Sequence, residues 1–170
     1  TFRGSGGFWT SDNAGKYAGV DDPEEICTKP FFREHPEALW QWHVDFLKIL
    51  DKPEVRPNAG HIAIKEFQEY CALSKGAQKV ECFLGTQNID NLHERAGSQN
   101  VLHMHGEITK ALCADCGHRW PSKRVMEETD PCPSCGAPRT RPDIVWFGEM
   151  PYFMDDIAEA LTRAQRGESV

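Results

Sequence analysis

Val80-Glu81-Cys82-Phe83-Leu84-Gly85-Thr86-Gln87-Asn88-Ile89-Asp90-Asn91-Leu92-His93-Glu94-Arg95-Ala96-Gly97 is the stretch on which the fold turns. Val80 to Leu84 reads as a short buried strand, and Gly85 to Ile89 as a loop. Asp90 is placed to cap a short helix, and Gly97 to stop it. A strand that passes through a polar turn into a helix is the repeating unit of an open α/β sheet. In such sheets ligands bind beyond the carboxyl ends of the strands. Gln87 and Asn88 offer both donors and acceptors, which suits hydroxyls and carboxamides. A helix cap with a polar turn accounts for the same residues equally well.

Downstream, Val101 to His105 alternates like a strand, with His103 and His105 on one side and Leu102 and Met104 on the other. His105-Gly106-Glu107 then closes that strand. A histidine titrates near neutrality and can take a proton from a hydroxyl. Gly106 would let a substrate or another backbone come close. By itself this is a weak signal, and His103 qualifies as well as His105. Further on, Ile144 to Phe147 reads as a short apolar strand, and residues 155–164 as a helix with Asp155 as its cap. Val145-Trp146-Phe147-Gly148-Glu149 could pair with an extended peptide along a strand edge; an ordinary core strand is the plainer reading.

Between these stretches lies the strongest motif. Cys113-Ala114-Asp115-Cys116 and Cys132-Pro133-Ser134-Cys135 are separated by 15 residues, a zinc-ribbon spacing. Each pair folds into a knuckle that aims two thiolates at one ion, and Gly117 and Gly136 suit the sharp turns. Four thiolates complete a tetrahedral shell with no place for water, so the site is structural. Cys27, Cys71 and Cys82 stand singly and read as plain thiols.

Upstream, residues 1–30 are rich in Gly, Ser, Asp and Pro and read as a long loop. Residues 36–50 read as a helix, with Pro36 in its first turn and Leu39, Trp42, His43, Phe46, Ile49 and Leu50 at helical spacing. Asn58 is placed to cap another helix carrying Ile62, Ala63, Phe67 and Tyr70 on one face.

Composition narrows the functional classes. Apolar residues make up 39% and charged residues 26%, an ordinary globular mixture. Net charge is −7 and no basic patch is visible, so nucleic acid is not expected as a partner. No apolar run is long enough to span a bilayer, so no membrane association is expected. Seven cysteines, an odd count, without a secretory signal point to a reducing, cytoplasmic compartment.

Taken together, these motifs resemble the sirtuin family in its bacterial and archaeal form. The resemblance runs through Thr1-Phe2-Arg3-Gly4, Pro57-Asn58 to His61, Thr86 to Gly97, His103 to Glu107, both cysteine pairs, and Val145 to Pro151, in family order along nearly the whole chain. It implies an α/β architecture: a Rossmann-like parallel sheet domain, here incomplete, with a small zinc-ribbon plus helical module. It implies an NAD-dependent protein-lysine deacetylase in which substrate and NAD meet between the two domains. Phe2 and Arg3 match the cofactor loop. Gln87, Asn88 and Asp90 match the pocket for nicotinamide and its ribose. His105 matches the general base. Val145, Phe147, Gly148 and Glu149 match the segment that clamps the acyl-lysine peptide, and zinc only shapes its module. In the chemistry so implied, the acyl oxygen attacks the ribose C1′ as nicotinamide leaves. His105 deprotonates a ribose hydroxyl that attacks the resulting imidate. Water then releases lysine and O-acyl-ADP-ribose.

Two family elements have no counterpart. A Gly-Ala-Gly-Ile-Ser phosphate loop would precede Thr1, and a Gly-Thr-Ser segment with later strands would follow the helix near Leu161. The 170 residues therefore read as a fragment, expected to be inactive alone because the diphosphate cradle is lacking. Expected boundaries are 1–111 for the partial Rossmann-like domain with cofactor loop and helical module, 112–141 for the zinc ribbon, and 142–170 for the return. Some relatives place Tyr and Arg, three apart, in the helix before Pro57-Asn58 to bind acidic acyl groups. His43 and Phe46 stand there here, so acetyl is expected over succinyl. A non-catalytic zinc-ribbon binding module is the competing reading. Its ribbon, Cys113 to Arg141, carries five Lys or Arg against four Asp or Glu, a balance that argues against phosphate binding.

Overall fold

Short polar side chains start the first two helices among the described residues. The computed structural model describes residues 16–17, 19–20, 22–73, 82–122 and 130–167. In it Asp22 Oδ1 accepts a hydrogen bond from the Glu24 N–H at 2.9 Å and opens α1 (Pro23–Ile26). Thr28 Oγ1 accepts from the Phe31 N–H at 3.3 Å and opens α2 (Lys29–Glu34). These helices replace the end of the loop expected over residues 1–30. Each cap satisfies an amide that a helix would otherwise leave unpaired, and a proline in the first turn forfeits no bond. α3 (Pro36–Leu50) has the expected bounds. It buries Leu39, Trp40, Trp42, His43, Phe46 and Leu50, each apolar side chain contributing about 1.5–3 kcal/mol.

The chain falls into two compact units. One joins the residues up to Lys52 with Ile108–Met150; the other joins Pro53–Glu107 with Pro151 onward. In the first unit β3 (Gly106–Cys113, from Ile108 on) lies between β4 (Arg119–Pro121) and β5 (Thr140–Ile144). β3 and β4 are antiparallel, with Lys110 opposite Pro121 and Ala111 opposite Trp120. Trp40 and Ala111 form a buried core against which Phe32 and Trp120 pack.

In the second unit α4 (Ala59–Leu73) starts as expected: Asn58 Oδ1 accepts from the N–H groups of Gly60 and His61 at 2.9 and 3.2 Å. β1 (Leu84–Thr86) pairs in parallel with β2 (Val101–His103), Thr86 opposite His103. α5 (Leu92–Ala96) lies between them in sequence, and α6 (Met154–Gln165) closes the described chain. Ile62, Phe67 and Tyr70, the apolar face expected of α4, are exposed in this chain. No helix among the described residues is long and apolar enough to cross a membrane.

Four local expectations are corrected. The β1 ladder carries Thr86, which had been read as loop, because parallel pairing with β2 holds it in extended form; Val80 and Glu81 lie outside the described residues. β2 ends at His103, so His105 sits in a turn rather than on the strand. β5 ends at Ile144, and Glu149 N–H returns to Trp146 O at 2.9 Å, so residues 146–149 make a turn with Gly148 at φ +83°. α6 begins after Phe153, which adopts φ +58° and provides no side-chain cap, so Asp155 lies within the first turn instead.

Candidate functional site

The four motif cysteines converge. Their Sγ atoms all lie within 4.8 Å of one another. Cys113 and Cys135 are 3.7 Å apart, as are Cys116 and Cys132. Zn–S bonds of about 2.3 Å put the sulfurs of a regular tetrahedron about 3.8 Å apart, so the cluster has the dimensions of a zinc shell. Two matching knuckles build it. Gly117 N–H bonds Cys113 O and Gly136 N–H bonds Cys132 O, at 3.0 and 2.8 Å. Both glycines have positive φ, +72° and +74°, a region open to glycine without strain. The knuckles are tied by Ala114 N–H to Arg139 O at 2.9 Å and by an Asp115–Arg139 ion pair. Cys113 and Cys132 are buried, Cys116 and Cys135 exposed.

In the second unit the polar loop continues from the carboxyl end of β1. Gln87 and Asn88 are exposed, and Asp90 is buried. Asp90 Oδ1 accepts from Leu92 N–H at 3.0 Å, which holds the entry to α5, and Gly97 ends that helix at φ +99°. Asn88 N–H bonds Thr86 Oγ1 at 3.1 Å. His103 is engaged at both ring nitrogens: Nδ1 lies 2.9 Å from Asn88 O and Nε2 2.8 Å from Glu94 Oε1. Burial works against the charged imidazole. The Glu94 hydrogen bond, the Asn88 carbonyl and the charges of Glu94 and Glu107 outweigh it and raise its pKa. His105 is half-buried and forms no hydrogen bond to another described residue. Met104 N–H bonds Thr86 O at 3.0 Å, which sets the turn bearing His105 beside the end of β1. Phe2 and Arg3 lie outside the described residues.

In the first unit Val145 is half-buried while Phe147 and Gly148 are exposed. Glu149 points inward. Its carboxylate takes both Arg141 Nη atoms, at 2.9 and 2.7 Å, the Trp146 N–H at 3.0 Å, and Lys29 Nζ at 3.3 Å. Burial would raise its pKa, but the Arg141 and Trp146 hydrogen bonds, the Arg141 charge and Lys29 bring it down to about 2. Nothing in the sequence motif marked Arg141 or Glu94 as partners. Their opposite charges were legible, their pairing was not.

His43 is fully buried on α3, with Nε2 3.2 Å from Ser122 Oγ and its ring edge-on to Trp40 at 5.2 Å. Burial lowers its pKa to about 4, so the ring is neutral at pH 7. Phe46 is also buried, 5.7 Å from the Trp42 ring.

A parallel strand pair with an amide-bearing loop, together with a tetrathiolate ribbon, defines an α/β protein with a zinc-binding module. The Sir2 family model matches residues 1–169, and the chain belongs to that family. It is similar to the NAD-dependent protein deacylase SIR2rp3 of Leishmania major, at 40% identity over 95% of this chain and 62% of the relative. Among solved structures it is similar to a Sir2 homolog–NAD complex, with a TM-score of 0.70 and 31% identity over 98% of this chain and 57% of that one. A Sir2 bound to acetylated peptide gives a TM-score of 0.64 and 25% identity, over 90% and 62% of the two chains. The chain thus spans less than two thirds of the length of these relatives.

Proposed function

We propose that the protein is an NAD-dependent protein-lysine deacetylase. The observation that carries this reading is the division of labour between two histidines. His103 has both ring nitrogens committed, to Asn88 O and Glu94, whereas His105, two residues on, keeps a half-buried ring uncommitted among the described residues. A base must have a lone pair to offer, so His105 is assigned the removal of the ribose hydroxyl proton. The exposed amides of Gln87 and Asn88 suit a carboxamide and ribose hydroxyls. Asp90 holds the loop at the α5 entry, and its role toward the cofactor is carried through that loop. Phe2 and Arg3 are assigned to the same cofactor by resemblance.

NAD would supply the electrophilic ribose carbon and the nicotinamide leaving group; the Sir2 homolog–NAD complex supports that assignment. The acyl-lysine peptide is assigned to the segment from Val145 to Glu149, with the acetylated-peptide complex of a similar protein as support. Zinc, held by Cys113, Cys116, Cys132 and Cys135, has only a structural part because its shell is closed. Acetyl is the preferred acyl group: His43 is buried and neutral at pH 7 and Phe46 carries no charge, so neither pairs with an acidic acyl chain. A cytoplasmic setting is consistent with the free thiols of Cys27, Cys71 and Cys82.

The test, run on the full-length protein that carries these residues, is nicotinamide release from NAD with an acetyl-lysine peptide, followed by chromatography for O-acetyl-ADP-ribose. Both products should appear in equal amounts, and formation of O-acetyl-ADP-ribose, the step after nicotinamide has left, should vanish in His105→Ala. Peptide-independent nicotinamide release, or full turnover in His105→Ala, would refute the assignment.

A further inference from the structure

Arg141 was given no role by the sequence motifs, yet its side chain is buried and heavily engaged. It is 6% exposed. Its Nη atoms make two parallel bonds to the Glu149 carboxylate and one to Ile144 O at 2.7 Å. Its guanidinium carbon lies 3.4 Å from the centre of the Trp146 ring. A planar fork that meets a carboxylate at two points while stacking on an aromatic face is rigid in a way lysine cannot reproduce. One guanidinium thus binds the end of β5, the buried Trp146 and the far end of the turn at Glu149.

The bracket sets which residues the turn presents. Trp146 goes inward, against Arg141 and 5.1 Å from the Phe32 ring. Phe147 goes outward, 50% exposed, while its N–H is held by Cys27 O at 2.9 Å. Glu149 closes the turn by accepting the Trp146 N–H with the same oxygen that meets Arg141. With both oxygens occupied and its pKa held at about 2, Glu149 has no lone carboxylate to offer a ligand.

We propose that Arg141 is a positioning residue for the acyl-lysine peptide, and that Glu149 acts through it rather than by touching substrate. The proposal rests on the deacetylase reading. The bracket pre-forms the Val145–Gly148 segment, so peptide binding does not have to order it. Val145, Phe147 and Gly148 then make the contacts.

The experiment measures the Kd of a fluorescein-labelled acetyl-lysine peptide and the KM values for peptide and NAD. The proteins, each full-length, are wild type, Arg141→Lys, Arg141→Gln and the double variant Arg141→Gln/Glu149→Gln, which leaves no buried charge unpaired. Zinc content reports whether each is folded. Arg141→Gln should raise the peptide Kd and KM roughly 30-fold with the NAD KM and zinc content unchanged; Arg141→Lys should fall between. If Arg141→Gln loses zinc, the double variant carries the test, with the same loss of peptide affinity expected. Peptide affinity equal to wild type in a zinc-replete Arg141→Gln or double variant overturns the proposal and leaves the deacetylase reading standing. Parallel rises in peptide and NAD KM also overturn it, since they indicate a general structural loss. A wild-type protein that binds no acetyl-lysine peptide refutes the reading and the proposal with it.

Discussion

His43 makes a quantitative test of the core. The ring is fully buried, hydrogen-bonded at Nε2 to Ser122 and without a partner at Nδ1 among the described residues. Burial brings its pKa from 6.5 to about 4. Because the folded value is the lower one, the unfolded chain takes up the proton first as the pH falls. The stability contributed by keeping the ring neutral is complete above about pH 6.5 and is lost progressively down to about pH 4. Linkage with these two values gives a loss of about 2 kcal/mol between pH 7 and pH 5. That is a substantial part of a typical 5–15 kcal/mol stability. The perturbation is His43→Gln, which keeps a polar partner for Ser122 and does not titrate. Urea unfolding of both proteins at pH 7 and pH 5 yields a double difference in which the carboxylates and the cysteine site cancel. Wild type should lose about 2 kcal/mol more than the variant. Parallel losses, within about 0.5 kcal/mol, would show that water or an acceptor reaches His43. An imidazole titration followed by NMR with a midpoint near 6.5 would refute the reasoning directly.

The cysteine site should hold one zinc per chain; Cys132→Ala should release it and unfold the ribbon, because three thiolates leave the shell open, and metal analysis below half an equivalent in wild type would refute the assignment. His105→Ala should abolish deacetylation with zinc content intact. His103→Ala should retain turnover but lower stability by about 1–3 kcal/mol, since Asn88 O and Glu94 lose a buried partner; the reverse pattern in the two variants would reassign the base. Acetyl should be removed far faster than succinyl from matched peptides, and equal rates would mean that a cation supplied by another residue faces the acyl chain.

Some of this was written in the chain order. The spacing of Cys113, Cys116, Cys132 and Cys135 specified the metal centre, because a C-x-x-C knuckle is a local structure whose geometry depends on few other residues. The bounds of α3 were legible from Pro36 and the helical recurrence of Leu39 to Leu50, and the Asn58 cap from a single residue. The loop Gln87–Asp90 was legible as a strand-to-helix turn, and its family resemblance named the cofactor. Asp22 and Thr28 could have announced α1 and α2, but the Gly and Pro content around them masked two cap signals.

Other features were settled only by tertiary contacts. Where β1 and β2 stop depends on their pairing with each other, so the loop residue Thr86 entered the ladder and His105 left it. The period-two pattern put His103 and His105 on one face and offered no way to choose between them. The proposed choice rests on Glu94 and the Asn88 carbonyl, nine and fifteen residues from His103, which engage that ring. Arg141 and Glu149 carry no local signal of their partnership, since opposite charges eight residues apart pair or not according to the fold. Spacing and capping act over one or two turns of chain and can be read in order. Ladder ends, ring partners and buried ion pairs depend on residues brought together by folding, and only the folded chain assigns them.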